Sequence, residues 1–122
     1  MAKLLIIEND PDVAELLVGY FVNHPTERYE VGSTSTAQSA LSAILADPSF
    51  DLVITTNHLG DMKGVDLFAK IKEVSPDLPV ILISGLPVSP LPKGISAFYE
   101  KPFDIEELGC AVKRLIAQKQ PT

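Results

Sequence analysis

The sequence predicts an α/β fold built around a parallel sheet, and two features of the residue pattern support this. Short apolar runs alternate with segments in which apolar residues recur at helical spacing, as in successive βαβ units. Two of the runs, Leu4–Ile7 and Val80–Ile83, are wholly apolar, as expected for strands covered on both faces. The 122 residues suffice for one domain with a single core, so we expect one domain over residues 1–122.

Five segments have the apolar pattern of strands. They are Leu4–Ile7, Tyr29–Val31, Leu52–Ile54, Pro79–Ile83 and Ile95–Tyr99. A helix should follow the first strand, because Asp10 can cap it and Pro11 suits its first turn. The segment Ser35–Gln38 resembles a capping box and predicts a second helix. The expected apolar faces are Val13, Leu16, Leu17 and Tyr20 in the first helix, and Ala37, Leu41, Ile44 and Leu45 in the second.

Two further helices are predicted in the second half of the chain. The third presents Val65, Phe68 and Ile71 at helical spacing, with Lys72 beside them. The last helix begins at Asp104, with Glu107 three residues later, and its apolar face is Ile105, Leu108, Val112 and Leu115. The tail, residues 118–122, is expected to fray.

The segment between Gly85 and Ile95 should not form the helix that would complete the pattern. It contains nine residues, of which three are proline: Pro87, Pro90 and Pro92. A proline inside a helix removes a hydrogen bond and clashes with the preceding turn, at a cost of about 3 kcal/mol. We therefore expect an irregular segment that leaves an exposed apolar patch, a typical interaction site. The residues placed to cover part of this surface are Leu86, Val88, Leu91 and Ile95.

Composition narrows the class of protein. The net charge of −6 argues against direct nucleic-acid binding, which depends on clusters of lysine and arginine. No apolar run is long enough to cross a membrane, and no signal-peptide pattern is present. Cys110 is the only cysteine, so no disulfide framework or cysteine metal cluster is expected. These features predict a cytoplasmic protein whose partner is another protein.

Polar side chains follow the strands where a parallel sheet places its binding sites, beyond the carboxyl ends. They are Glu8, Asn9 and Asp10 after the first strand, Thr55, Thr56 and Asn57 after the third, Ser84 after the fourth, and Glu100, Lys101 and Pro102 after the fifth. Acids, hydroxyls and one lysine should therefore meet at one edge. We expect Lys101 to pair with Glu8, since a lysine among buried strand ends needs a counter-charge.

This constellation resembles the receiver domain of two-component response regulators, from Lys3 to about Ala117. The resemblance implies a flavodoxin-like α/β/α sandwich with five parallel strands, here with the fourth helix shortened or absent. In that family a pair of acids after the first strand holds Mg²⁺, and here the pair reads Glu8-Asn9. The phosphoacceptor aspartate corresponds to Thr56. The family's switch residues correspond to Ser84 and Phe98, and its invariant lysine and cis-proline to Lys101 and Pro102.

The departures from the family pattern predict a degenerate pocket. An aspartate acceptor is already ionised, whereas the Thr56 hydroxyl would need a general base, and none is evident. Of the family's three carboxylates only Glu8 remains, because Asn9 and Thr56 are neutral. Mg²⁺ prefers charged oxygen ligands, so we expect no cofactor and at best weak metal binding through Glu8.

These observations together predict a pseudo-receiver: a bacterial signalling domain that acts through protein contacts, independently of phosphorylation, and is not an enzyme. Its partner would be a signalling protein, a fused output domain or a second copy of the chain. One alternative is a phosphorelay regulator that uses a nearby acid, Asp10 or Asp61, as acceptor. Another is a small-ligand-binding domain at the carboxyl edge of the sheet, although the acids there would repel phosphate groups.

Overall fold

The structure is a computed structural model that describes residues 1–119. In these residues five strands and four helices follow one another in the order predicted from the sequence, with no helix between the fourth and fifth strands. The strands are β1 (Ala2–Ile7), β2 (Tyr29–Thr34), β3 (Leu52–Thr56), β4 (Val80–Ser84) and β5 (Ala97–Glu100). The helices are α1 (Pro11–Val22), α2 (Ala37–Ala46), α3 (Gly64–Val74) and α4 (Ile105–Lys119). The predicted tail falls partly within α4, and its residues 120–122 lie outside the described part of the chain.

All strand pairs are parallel, and the order across the sheet is β2-β1-β3-β4-β5. Successive residues of β1 point to opposite faces, so Leu5 and Ile7 join the core beneath α2 and α3. Leu4 and Ile6 join the core beneath α1 and α4. The predicted α/β/α sandwich with a five-stranded parallel sheet is confirmed.

The helix faces differ in detail from the prediction. In α1 the buried residues are Leu17 and Phe21, whereas Leu16 is exposed. In α2 Ala37, Ala40 and Ile44 are buried, and Leu45 is exposed. The expectations for Leu16 and Leu45 were wrong. The helices are oriented so that Leu17 and Ile44 face the sheet, and the neighbouring leucines, about 100° further round each helix, lie outside the buried stripe.

The start of α2 also lies one residue later than the capping-box pattern indicated. Thr36, and not Ser35, is the N-cap, and its hydroxyl accepts a hydrogen bond from Ser39 N at 3.1 Å. The predicted cap of α1 is confirmed, because the Asp10 side chain accepts from Asp12 N at 3.0 Å.

No regular helix forms between Gly85 and Ile95, as the three prolines predicted. The main chain there makes one backbone hydrogen bond, from Ile95 N to Pro92 O at 3.4 Å. Two peptide bonds within residues 1–119 are cis, Ser89–Pro90 and Lys101–Pro102, and the second is the one that the family resemblance implied. None of the helices in residues 1–119 has the length and apolar character needed to cross a membrane.

Candidate functional site

The carboxyl ends of four strands meet at one edge of the sheet. The register aligns Thr56 of β3 with Ile83 of β4, and Ser84 with Glu100 of β5. Glu8 directly follows β1, and its amide donates to Thr34 O at 3.1 Å. Glu8, Thr56 and Ser84 are buried. The sheet thus brings together the residues that the sequence singled out after strands one, three and four.

Lys101 occupies the centre of this edge. Its Nζ donates to Glu8 Oε1 at 2.8 Å and to Thr56 Oγ1 at 3.2 Å. Its main-chain amide donates to Ser84 O at 2.8 Å, which fixes the start of the side chain against β4. The predicted ion pair between Lys101 and Glu8 is therefore confirmed. The ammonium group thus links the residue that follows β1 to the last residue of β3.

The remaining acids of the β1–α1 turn have structural partners. Glu8 Oε2 accepts from Asp10 N at 3.0 Å, so both oxygens of Glu8 are hydrogen-bonded within the protein. The Asp10 carboxylate is exposed and accepts from amides of the first turn of α1. Asn9 is exposed between them. This turn is a helix cap combined with one buried ion pair.

Asn57 organises the loop between β3 and α3, a role that the sequence reading did not identify. Its amide donates to Ile83 O at 2.8 Å, and its Oδ1 accepts from Val65 N at 3.1 Å. Its carbonyl accepts from Gly64 N at 2.7 Å. Any Cβ on Gly64 would lie 2.5 Å from Thr56 O, so glycine is required where the chain returns to the strand end. In the sequence, an asparagine just after a strand and a glycine at the start of the next helix could have indicated this role.

Asp61 connects this loop to α2. Its carboxylate oxygens accept from Ala37 N and Gln38 N, each at 3.0 Å, at the start of that helix. These two amide donors lower the pKa of the Asp61 carboxyl. Asp61 thus supplements the Thr36 cap from a distant part of the sequence, and its negative charge lies at the positive end of the α2 dipole.

Of the switch-like residues, Ser84 contacts Lys101 through the main chain, and its side chain has a separate role. Ser84 Oγ accepts from Leu86 N at 3.2 Å and so closes the turn that leaves β4. Phe98 lies in β5 beside Leu82 and is half-buried. The exposed fractions of the Leu86 and Leu91 residues are 60% and 42%.

Val88 and Ile95 are half-buried, and Ile95 packs against the core beneath α2 and α3. The four residues expected to cover the bare strands therefore differ in exposure: the two leucines are exposed, whereas Val88 and Ile95 are half-buried.

A groove of about 430 Å³ borders the ion pair on its β2 side and is open to solvent. Polar and apolar residues line it together: Glu8, Asn9, Pro11, Ala14, Ser33, Thr34, Ser35 and Ser39. In residues 1–119 no three side chains of the histidine, cysteine, aspartate or glutamate type are grouped so that they could hold a metal ion.

Comparison with known proteins gives one consistent result. Residues 4–113 match the family model described as the response regulator receiver domain. The chain is 30% identical, over 98% of its length, to the transcriptional regulatory protein GlrR of Escherichia coli. It is 35% identical, over 95% of its length, to the DNA-binding transcriptional regulator NtrC of a Bradyrhizobium strain.

A receiver domain protein of Methanospirillum hungatei has the same fold, with a TM-score of 0.89 at 22% identity, over 98% of this chain and 96% of that one. The chain spans 27% of the length of GlrR and 24% of that of NtrC. Most of each regulator therefore lies outside the matched region.

Proposed function

The chain belongs to the response regulator receiver domain family of two-component signalling, and from this premise we propose that it is a receiver that acts without phosphorylation. Its activity would be to bind a protein, either a separate signalling protein or an output domain on the same polypeptide, in the cytoplasm. The observation that carries the proposal is the contact of Lys101 Nζ with Glu8 Oε1 and Thr56 Oγ1, at 2.8 and 3.2 Å.

The chemistry at Thr56 supports this proposal. Phosphoryl transfer to a receiver needs a nucleophile that is ionised at neutral pH, which a carboxylate is and a threonine hydroxyl is not. The Thr56 hydroxyl accepts a hydrogen bond from the Lys101 ammonium, which is a donor and cannot serve as the general base that the hydroxyl would need. β3 ends in Thr55-Thr56, and Asn57 follows, so no carboxylate stands at the end of this strand.

The donors at this edge do not fit Mg²⁺, which receiver domains commonly bind at their phosphorylation site. Mg²⁺ requires hard, charged oxygens in octahedral array. Both oxygens of Glu8 are occupied, by Lys101 Nζ and Asp10 N, and the Asn9 carboxamide is neutral. The Lys101 ammonium would also lie close to any cation held by Glu8. We therefore derive no step that passes through a metal ion.

The two acids considered as alternative acceptors are hydrogen-bonded elsewhere. Asp10 caps α1, and Asp61 accepts from two amides at the start of α2. Phosphorylation of either would displace these amide donors. Among the residues that the structure describes, neither carboxylate hydrogen-bonds to Lys101, the cation of the pocket. These contacts favour the binding role over the alternative acceptor.

Intact-mass spectrometry after incubation with acetyl phosphate and Mg²⁺ tests the proposal. We expect the mass of the full chain to remain unchanged, because Thr56 cannot act as the nucleophile. A stable gain of one phosphoryl group would overturn the proposal. Peptide mapping would then show whether Asp10 or Asp61 had accepted it.

A further inference from the structure

The loop between β3 and α3, residues 57–63, is attached to the elements on both sides of it. At its start the Asn57 amide donates to β4 at 2.8 Å, and Asn57 Oδ1 accepts from Val65 N, in the first turn of α3, at 3.1 Å. Across the loop, His58 and Lys63 pair in an isolated antiparallel bridge. These contacts join the loop to β4 and to α3.

Asp61 joins the same loop to α2. Its carboxylate oxygens accept from Ala37 N and Gln38 N, each at 3.0 Å, although 24 and 23 positions separate these residues in the sequence. Leu59 and Met62, on either side of Asp61, pack against the core beneath α2 and α3. Two hydrogen bonds to a carboxylate and two apolar side chains therefore hold the loop against α2.

The first turn of α2 depends on this loop for its hydrogen bonds. The first amides of a helix have no partner inside the helix. In α2, Thr36 Oγ1 accepts from Ser39 N at 3.1 Å, and Asp61 accepts from the amides of Ala37 and Gln38. Ser39 also lines the groove beside the ion pair. The position of Asp61 therefore helps to set the first turn of α2 and, with it, one wall of the groove.

We propose that Asp61 is a positioning residue that straps the β3–α3 loop to α2, so that the loop, the first turn of α2 and that wall of the groove hold one arrangement without a phosphoryl group. The inference rests on the proposed function, because a receiver that acts without phosphorylation needs a surface whose shape does not depend on its acceptor position. The strap suits this role, since hydrogen bonds to a charged acceptor are about twice as strong as neutral ones. Its negative charge also lies at the positive end of the α2 dipole.

A local helix cap is the simpler role for Asp61, and it predicts a different result. A cap serves only the helix that carries the amides, so its loss would loosen α2 and leave the loop in place. A strap joins two elements, so its loss would loosen both. The amides that report on the loop are Gly64 N, which donates to Asn57 O at 2.7 Å, and Val65 N.

Amide hydrogen exchange, followed by NMR on the full chain at neutral pH, measures both elements in one experiment. In Asp61→Ala the amides of Ala37 and Gln38 should exchange about tenfold to a hundredfold faster, the value of one hydrogen bond to a charged group. The amides of Gly64 and Val65 should also exchange faster, by about tenfold, because the loop opens locally once it is released from α2.

Two further variants and one reference amide make the result specific. Thr36→Ala removes the local cap of α2, so it should speed exchange at Ser39 while the loop amides exchange as in the wild type. Asp61→Asn keeps one acceptor oxygen and loses the charge, so its loop amides should exchange at rates between those of the wild type and Asp61→Ala. The amide of Ile6, in the interior strand β1, reports any change in the stability of the whole fold.

The outcomes separate the strap from the function on which it rests. Faster exchange at the loop in Asp61→Ala, but not in Thr36→Ala, would support the strap. If Asp61→Ala sped exchange at α2 alone, or if Thr36→Ala loosened the loop equally, Asp61 would be only a helix cap and the proposal would fail. A gain of phosphoryl mass in the acetyl phosphate assay would instead contradict the proposed function, whatever the exchange rates.

Discussion

Replacing Lys101 with methionine tests what the ion pair does for the folded protein. The substitution keeps an unbranched chain that matches the aliphatic stem of lysine and removes the ammonium that donates to Glu8 Oε1 and Thr56 Oγ1. The Glu8 side chain is 2% exposed and would remain as a buried carboxylate without its counter-charge. It would keep one hydrogen bond, from Asp10 N at 3.0 Å.

The structure sets the expected size of the effect. Removing one partner of a buried ion pair costs about 3 to 5 kcal/mol. The lower end applies here, about 3 kcal/mol, because the Lys101 side chain is 25% exposed and Glu8 keeps the Asp10 amide. For a domain of this size that loss lowers Tm by about 10 °C.

Urea unfolding of the wild type and Lys101→Met measures the difference in the free energy of unfolding. The control is Lys70→Met, which makes the same change at an exposed position in α3. The double variant Lys101→Met with Glu8→Gln also lacks the buried negative charge. Its free energy of unfolding should be about 1 kcal/mol or more above that of Lys101→Met alone, as expected for coupled residues. If Lys101→Met and Lys70→Met differed by less than about 0.5 kcal/mol, the ion pair would not be what stabilises this edge of the sheet.

Four further predictions concern other parts of the molecule. Millimolar Mg²⁺ should raise Tm no more than a matched salt control, since a ligand that binds the native state must stabilise it. Gly64→Ala should destabilise the protein by about 2 kcal/mol, because the new Cβ would clash with Thr56 O. Gly19→Ala in α1, where nothing lies within 4 Å of the new Cβ, should stabilise the protein by about 0.5 to 1 kcal/mol, and urea unfolding measures both changes. The pKa of Asp61 is lowered in the folded protein, so its contribution to stability is complete above the ordinary value of 3.8 and is lost as the pH falls through the folded pKa. The free energy of unfolding, measured with urea at several acidic pH values, should therefore decrease less with falling pH in Asp61→Asn than in the wild type. Leu91→Asp should weaken association with the partner, measured by calorimetry, while the far-UV circular dichroism spectrum stays unchanged.

The fold was predictable because its determinants are local. Wholly apolar runs identify strands buried on both faces, and a cap such as Asp10 fixes where a helix begins. Three prolines in nine residues exclude a helix without reference to the rest of the chain. The pair of Glu8 and Lys101 was also predictable, because a lysine among buried strand ends needs a counter-charge and parallel strand ends share one edge.

The features that the sequence did not indicate depend on contacts across the fold. Asp61 accepts from Ala37 N, 24 positions away, and nothing near Asp61 in the sequence points to that helix. Likewise, the pattern could not decide between adjacent apolar residues of one helix, such as Leu16 and Leu17. The orientation of the helix on the sheet decides this, and it depends on the packing of all the elements together.

The most direct test of phosphorylation-independent action is to restore the missing charges and repeat the intact-mass assay with acetyl phosphate and Mg²⁺. We expect no phosphoryl gain in the wild type and little in Thr56→Asp, because Asn9 still leaves the edge of the sheet short of one carboxylate. The double variant Thr56→Asp with Asn9→Asp should gain one phosphoryl group per chain. A wild type that gains as much as the double variant would contradict the account, and so would a double variant that folds but gains none.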